Sequence, residues 1–371
     1  MKVVIFIGHF KTGSTSLQTF LTRNSAALRQ QSVLYPSVLR DTRPALVRLA
    51  NRIAGREQLF RINRLEAHNL LALRLKTDET GLPMPWWYPH APPTEHLFEN
   101  IRTQIEQTAP QTVLLVSEHL AELGGVDHKQ IRRLGAFFAG CQIRIVATLR
   151  RPDTYLSSWH GQRLKAREYF EPLRTTGLQE YLGTVHIDYA MMLRAWMDAF
   201  PEAEFRIRNH ADIMQRGGSI PSFLEDASIA HTDDLQDVRP ENLSVPYAFR
   251  EVLRCGVRDL PPKLASNLVS WTIRNRGAIP HPPDRDVELF GAHNRQRLHS
   301  AFEPAHAFLD AFSGGGPFFT DIDDVLTPNP IPEMTAARDS LSALRTLART
   351  TPPYSPVADY LKSFEFPADH K

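Results

Sequence analysis

Directly after the apolar run Val3-Val4-Ile5-Phe6-Ile7 the chain reads GHFKTGSTS, residues 8 to 16. Gly8 and Gly13 keep the spacing of a phosphate loop of the form G-x-x-x-x-G-K-[ST], and Thr15 holds its final hydroxyl position. Ser14 stands where such a loop carries lysine, and the lysine is instead residue 11, inside the loop. These residue types can hold an anion. A helix beginning at Ser14 or Thr15 would present unpaired backbone N–H groups and partial positive charge. The backbone from Thr12 to Ser16 forms the cradle, Gly13 permits close approach, Thr15 and Ser16 add hydroxyl donors, and Lys11 supplies a full charge.

Two further stretches place chemistry at the ends of apolar runs. TVLLVSEHL closes on Ser117-Glu118-His119-Leu120, which offers two candidate general bases for a hydroxyl that must lose its proton. The end of a parallel strand beside a nucleotide loop is a sensible place for such a base. Successive strand residues point to opposite faces, so one of the pair, Glu118 or His119, is expected to face the reacting atom. IRIVATLRRPDTYLSSWHGQ, residues 143 to 162, sets Arg150-Arg151-Pro152 after a strand and Ser158 eight residues after Arg150. Pro152 suits the first turn of a helix. Arg150 can clamp a phosphate through paired N–H donors, and Ser158 can add a hydroxyl. Arg151 reads as solvent-facing or as a helper.

HFKTGSTSLQ resembles the 5′-phosphosulfate loop of sulfotransferases that use 3′-phosphoadenosine-5′-phosphosulfate (PAPS). In that family a lysine shortly after the first strand is followed by small and hydroxyl residues opening a helix. The R-x-P with a serine two helical turns later resembles the family's 3′-phosphate site. Ser117-Glu118 resembles the bacterial carbohydrate-type members, which favours Glu118 as the base, while His119, its rival or partner, falls at a position comparable to the catalytic histidine of the cytosolic branch. The resemblance covers residues 1–35 and 110–165. It implies a P-loop NTPase-like sulfotransferase fold with helical insertions. It also implies PAPS as sulfuryl donor, no metal requirement, and in-line transfer to a hydroxyl of a carbohydrate or lipid.

On that resemblance Lys11 would stabilise the leaving phosphate. Glu118 or His119 would take the proton. Thr12, Gly13, Ser14, Thr15 and Ser16 would hold the 5′-phosphate, and Arg150 and Ser158 the 3′-phosphate. His9 would orient the loop. Trp86, Trp87 and Tyr88 lie between the loop and the next strand, where aromatics could stack on a sugar or serve as core or lid packing. His68 is a further substrate candidate in the same insertion. Two other classes compete. A P-loop small-molecule kinase needs magnesium, usually held by an Asp on the second strand, and none closes that run. A non-catalytic nucleotide- or glycan-binding paralogue would keep the phosphate residues without needing Glu118 or His119.

The elements that must position these residues are legible as pattern. Lys2–Gly8, Val113–Ser117 and Ile143–Leu149 read as buried strands, each followed by a helix, and Glu204–Asn209, with alternating apolar residues, as a fourth strand. That alternation predicts an α/β chain with a central parallel sheet flanked by helices. Leu17, Leu21, Asn24 and Leu28 predict a helix after the loop. Leu178–Phe200, Pro246–Cys255, Pro262–Arg274 and Glu288–Phe302 also read as helical, between proline clusters IPHPPD, TPNPIP and TPPYSP that read as loops. The organisation expected is a single domain over 1–371. It carries a helical insertion at about 40–110 and a Pro-rich, mainly helical C-terminal region at about 212–371.

Composition narrows the classes. A formal net charge of +2 gives no broad field for nucleic acid. Two cysteines, Cys141 and Cys255, cannot form a disulfide framework or a Cys-rich zinc site; as buried apolar residues they fit a reducing compartment. The histidines show no H-E-x-x-H pattern, so no metal site is expected. No apolar run is long enough for a transmembrane helix, and the N-terminal run is too short for a signal-peptide core. A cytoplasmic location is the expectation. The acceptor's identity and the oligomeric state are not legible.

Overall fold

A computed structural model describes residues 1–39, 66–85, 87–88, 90–238, 244–351 and 355–367. Its first elements are β1 (Lys2–Phe6), α1 (Ser14–Arg23), α2 (Ser25–Gln30), β2 (Val33–Leu34), α3 (Ala67–Thr80), α4 (Thr94–Thr108) and β3 (Thr112–Val116). Then come α5 (Lys129–Phe137), β4 (Gln142–Leu149), α6 (Pro152–Lys165), α7 (Tyr189–Ala199), β5 (Glu204–Asn209), α8 (His210–Gln215) and α9 (Ser219–Ala227). The chain continues through α10 (Arg250–Asp259), α11 (Pro262–Asn275), β6 (Val287–Glu288), α12 (Gly291–Leu309), β7 (Ile331–Pro332), α13 (Glu333–Thr350) and α14 (Ser355–Ser363).

The chain divides into two compact units. The first is built from Met1–Arg151, Asp188–Asn242 and Pro304–Phe319; the second from Pro152–Ile187, Leu243–Glu303 and Thr320–Lys371. Sequence pattern reads elements one at a time and carries no record of which ones pack together.

The first unit is an α/β sandwich. Its five strands run parallel in the order β2-β3-β1-β4-β5. β1 is central, and Val3, Val4 and Ile5 are wholly buried, as expected for a strand covered on both faces. Its register runs Lys2↔Thr112 to Phe6↔Val116 on one side and Lys2↔Gln142 to Phe6↔Val146 on the other. Val4 and Phe6 share one face with Leu114, Val116 and Val146. There they pack with Leu17, Phe20 and Leu21 of α1 and Phe223 and Leu224 of α9. Val3, Ile5, Val113 and Leu115 point to the other face by strand alternation. β2, only two residues long, was too short to register as a pattern.

Strand order locates the crevice. From β1 the chain passes beyond β3 to reach β2; from β3 it crosses β1 to reach β4. The connections leaving β1 and β3 therefore run in opposite directions. Ligands of open parallel sheets bind at such a switch, outside the carboxyl ends of the strands.

The second unit is mostly helical. α10 packs with α11 and α13, α11 with α6, and α13 with α14. The TPNPIP cluster, expected as a loop, contributes β7, which pairs in parallel with β6 (Val287↔Ile331). Two helix expectations change. Leu178–Phe200 is interrupted by turns and by Gly183 at φ 73°, and α7 starts at Tyr189 behind Asp188, whose side chain accepts from Met191 N–H. The run from Leu17 to Leu28 is two helices meeting at Asn24. Of the insertion at 40–110, the described part is helical in α3 and α4; residues 40–65 and Trp86 lie outside the described residues. Among the described residues no helix is long and apolar enough to cross a membrane.

Candidate active site

The loop after β1 is fixed by its neighbours before it meets any ligand. Beyond the strand, Ile7 N–H donates to Val146 O at 2.9 Å and His9 N–H to Thr148 O at 3.0 Å, so the chain keeps pairing with β4 up to the loop. Gly8 is required there: a Cβ would sit 2.8 Å from the Thr148 backbone nitrogen. His9 Nδ1 accepts from Arg150 N–H at 3.3 Å, its ring meets Tyr189 edge-on at 4.2 Å, and Tyr189 OH donates to Arg150 O at 2.8 Å. His9 thus ties the end of β1 to the end of β4. Thr12 Oγ1 donates to His9 O at 2.7 Å, which folds the loop back on itself.

Two residues of the loop adopt the left-handed region. Lys11 has φ 64° and Gly13 φ 91°. For lysine this conformation is uncommon and costs about 1 kcal/mol or more, the kind of strain that persists where the surroundings impose it. At Gly13 a Cβ would also strike the Ser219 side chain, 2.4 Å from its Oγ. Gly13 precedes α1 without a side-chain cap, and the first helical bond is Leu17 N–H to Gly13 O at 3.0 Å. The N–H groups of Ser14, Thr15 and Ser16 therefore lie ahead of that bond, where a helix N-terminus attracts anions. Thr12 and Ser14 are buried, while Lys11, Thr15 and Ser16 are half-buried.

β3 ends at Val116, and Glu118 and His119 lie not on a strand but on a 3₁₀ turn, Glu118–Gly125, capped by Ser117 Oγ. The strand-alternation argument for choosing between them does not hold, because both follow the strand's end. They face different partners. Glu118, 7% exposed, accepts from Gln18 Nε2 of α1 at 2.9 Å. His119 meets Phe10 edge-on at 4.8 Å, and its Nδ1 lies 3.1 Å from Glu122 Oε2, with Lys76 3.1 Å from the same carboxylate's other oxygen. Burial lowers the His119 pKa, but the Glu122 hydrogen bond and the charges of Glu122 and Glu118 outweigh it and leave it raised.

Three residues to which the sequence assigned no role complete this end of the sheet. Glu66, just ahead of α3, takes hydrogen bonds from Thr15 and from Asn69 Nδ2, the latter at 3.2 Å. Asn69 Oδ1 accepts from Ser117 Oγ at 2.6 Å. Gln18 holds Glu118. Their partners lie scores of residues away in sequence, which hides them from spacing arguments.

Arg150 follows β4 and comes to the loop: its guanidinium lies 3.5 Å from Lys11 O. Beside it, burial and the Arg150 charge push His210 down to about 4. Ser158 is half-buried on α6, in the second unit. His68 is committed elsewhere. It is buried, Val116 N–H donates to its Nδ1 at 2.9 Å, and its Nε2 reaches Pro36 O at 2.8 Å. Burial pushes its pKa down to about 4, so it serves as a neutral backbone partner rather than the acceptor contact expected of it. Trp87 is half-buried and Tyr88 buried. Cys255 is buried, but Cys141 is half-exposed. Among the described residues no cluster of three His, Cys, Asp or Glu could hold a metal ion.

The site therefore joins an anion-ready helix N-terminus, a lysine within the loop, an arginine against that loop, and a carboxylate–histidine–carboxylate group at the neighbouring strand end. No protein-family model, curated protein or solved structure matches the chain.

Proposed function

We propose that the chain is a PAPS-dependent sulfotransferase acting on a hydroxyl of a carbohydrate or lipid, with a P-loop-like sulfotransferase fold. The observation that carries this is the meeting of the Lys11 loop with His119 and Glu118 at the switch between β1 and β3. The residues fit a phosphosulfate. The N–H groups of Ser14 to Ser16 would hold the 5′-phosphate, Gly13 supplies the left-handed turn ahead of them, and Lys11 would neutralise charge developing on the bridging oxygen. Arg150 would hold the 3′-phosphate. PAPS, when bound, supplies the sulfuryl group.

His119 is the better-equipped base. Its Nδ1–H donates to Glu122, which leaves Nε2 to accept the acceptor hydroxyl's proton, and its raised pKa brings it toward the pH at which a base works best. Glu118 stabilises the imidazolium so formed. Two free cysteines support a cytoplasmic setting as part of this proposal. The experiment is incubation with sulfur-labelled PAPS and a panel of glycans, lipids and phenols. Label transfer that is lost in H119N and K11A supports the reading; no transfer to any class sinks it.

A further inference from the structure

Glu66 lies outside the motifs that carry the proposed reaction, yet it is wired into the loop. Its carboxylate accepts from the Thr15 hydroxyl and from Asn69, and Asn69 is braced by Ser117 at the end of β3. On the same side of α1, three residues further on, Gln18 holds Glu118. Two carboxylates thus flank the first turns of the helix, close enough for their charges to repel.

A threonine hydroxyl has one proton to give. While Glu66 is ionised, that proton points at Glu66 and is withheld from an anion in the loop. Once Glu66 is protonated, it donates to Thr15 Oγ1 and the Thr15 O–H can turn to the anion. We propose that Glu66 is a positioning residue of the anion loop: its proton decides whether Thr15 faces Glu66 or the ligand, so that anion binding takes up a proton. This rests on the proposed reading of the loop as a phosphosulfate site.

Burial and the Glu118 charge push Glu66 up to about 7, against the opposing effects of His119, Thr15 and Asn69, so the exchange falls near neutral pH. The titratable groups around it are Glu118 and His119 after β3, with Glu122 and Lys76 behind His119. Tyr35 and Tyr88 also feel its charge and stay neutral, burial raising both.

The test uses the full chain and two probes: inorganic sulfate, whose charge is constant across the range, and PAP, the desulfated nucleotide. Sulfate is expected to bind wild type about tenfold more weakly at about pH 8 than at about pH 6, following one group titrating near 7. In E66Q the amide can donate to Thr15 at any pH, so affinity stays near the low-pH value at both. Calorimetry in two buffers of different ionisation enthalpy should register proton uptake by wild type and none by E66Q. Equal slopes in the two proteins, or sulfate binding by wild type without proton uptake, overturn the inference. The sulfate slope without PAP binding would remove the proposed function and leave Glu66 in place. PAP binding without the slope would do the reverse.

Discussion

At the scale of single residues the proposed reaction is a matter of where charges and protons can go. Lys11 is half-buried, and its removal should spare the fold while lowering transferase turnover about a hundredfold to a thousandfold, the scale of losing one stabilising contact to developing charge. H119N should cost more turnover than E118Q, on the order of a hundredfold to ten-thousandfold, as for loss of a general base. Measured against pH, the rate should rise on the acid side. The base acts only when neutral, and Glu122 and Glu118 raise His119 above its ordinary value. On the alkaline side it should fall again as Glu66 ionises near 7 and draws back the Thr15 proton. In E66Q the falling limb disappears while the rising limb stays. Lys11, Glu118, His119 and Arg150 were legible because each follows an apolar run that could only be a strand. Glu66, Gln18 and Asn69 were not, since what marks them is a partner brought near by folding.

At the scale of elements the loop is held by geometry that tolerates no side chain at Gly8. A methyl group there meets the backbone of β4 at Thr148 and the ring of Phe6. Gly8→Ala should lower unfolding free energy by about 1–3 kcal/mol, the range for an overpacked interior site. The check is the urea midpoint of the variant against wild type. β1, β3 and β4 were readable as buried apolar runs, and β5 from its alternating apolar residues, each within two residues of its ends. The segment Leu178–Phe200 was not: its composition is helical, but Gly183 in the left-handed region and the Asp188 cap delay the helix to Tyr189. Glu118 and His119 were expected at the strand end with alternating faces because the apolar run gives no sign that Ser117 turns the chain into a 3₁₀ helix.

At the scale of the whole molecule the near-balanced charge of +2 leaves anion recognition to local groups. The second unit buries charge of its own. Arg174 pairs with Glu333 and Glu251, and Glu251 with Arg254 at 2.7 Å. Burial pushes Glu333 up to about 7, with Arg174 pulling the other way. Its folded pKa lies above the unfolded value of about 4.3, so its proton-linked stability is full below that value and is lost as pH rises through about 7. E333Q should lack that loss. Denaturation followed from about pH 5 to about pH 8 should show wild type losing stability relative to the variant. An equal pH course in both would contradict the assignment. None of this was readable from the sequence, where nothing marks Glu333 as a partner of Arg174, 159 residues earlier.

The most direct test of the central claim is nucleotide binding at the loop after β1, measured by titration calorimetry without magnesium. Wild type should bind PAP more tightly than ATP, K11A and R150A should each weaken PAP binding at least tenfold, about 1.4 kcal/mol, and magnesium should not matter. Tighter magnesium-dependent ATP binding, or PAP binding unchanged in both variants, would contradict the account.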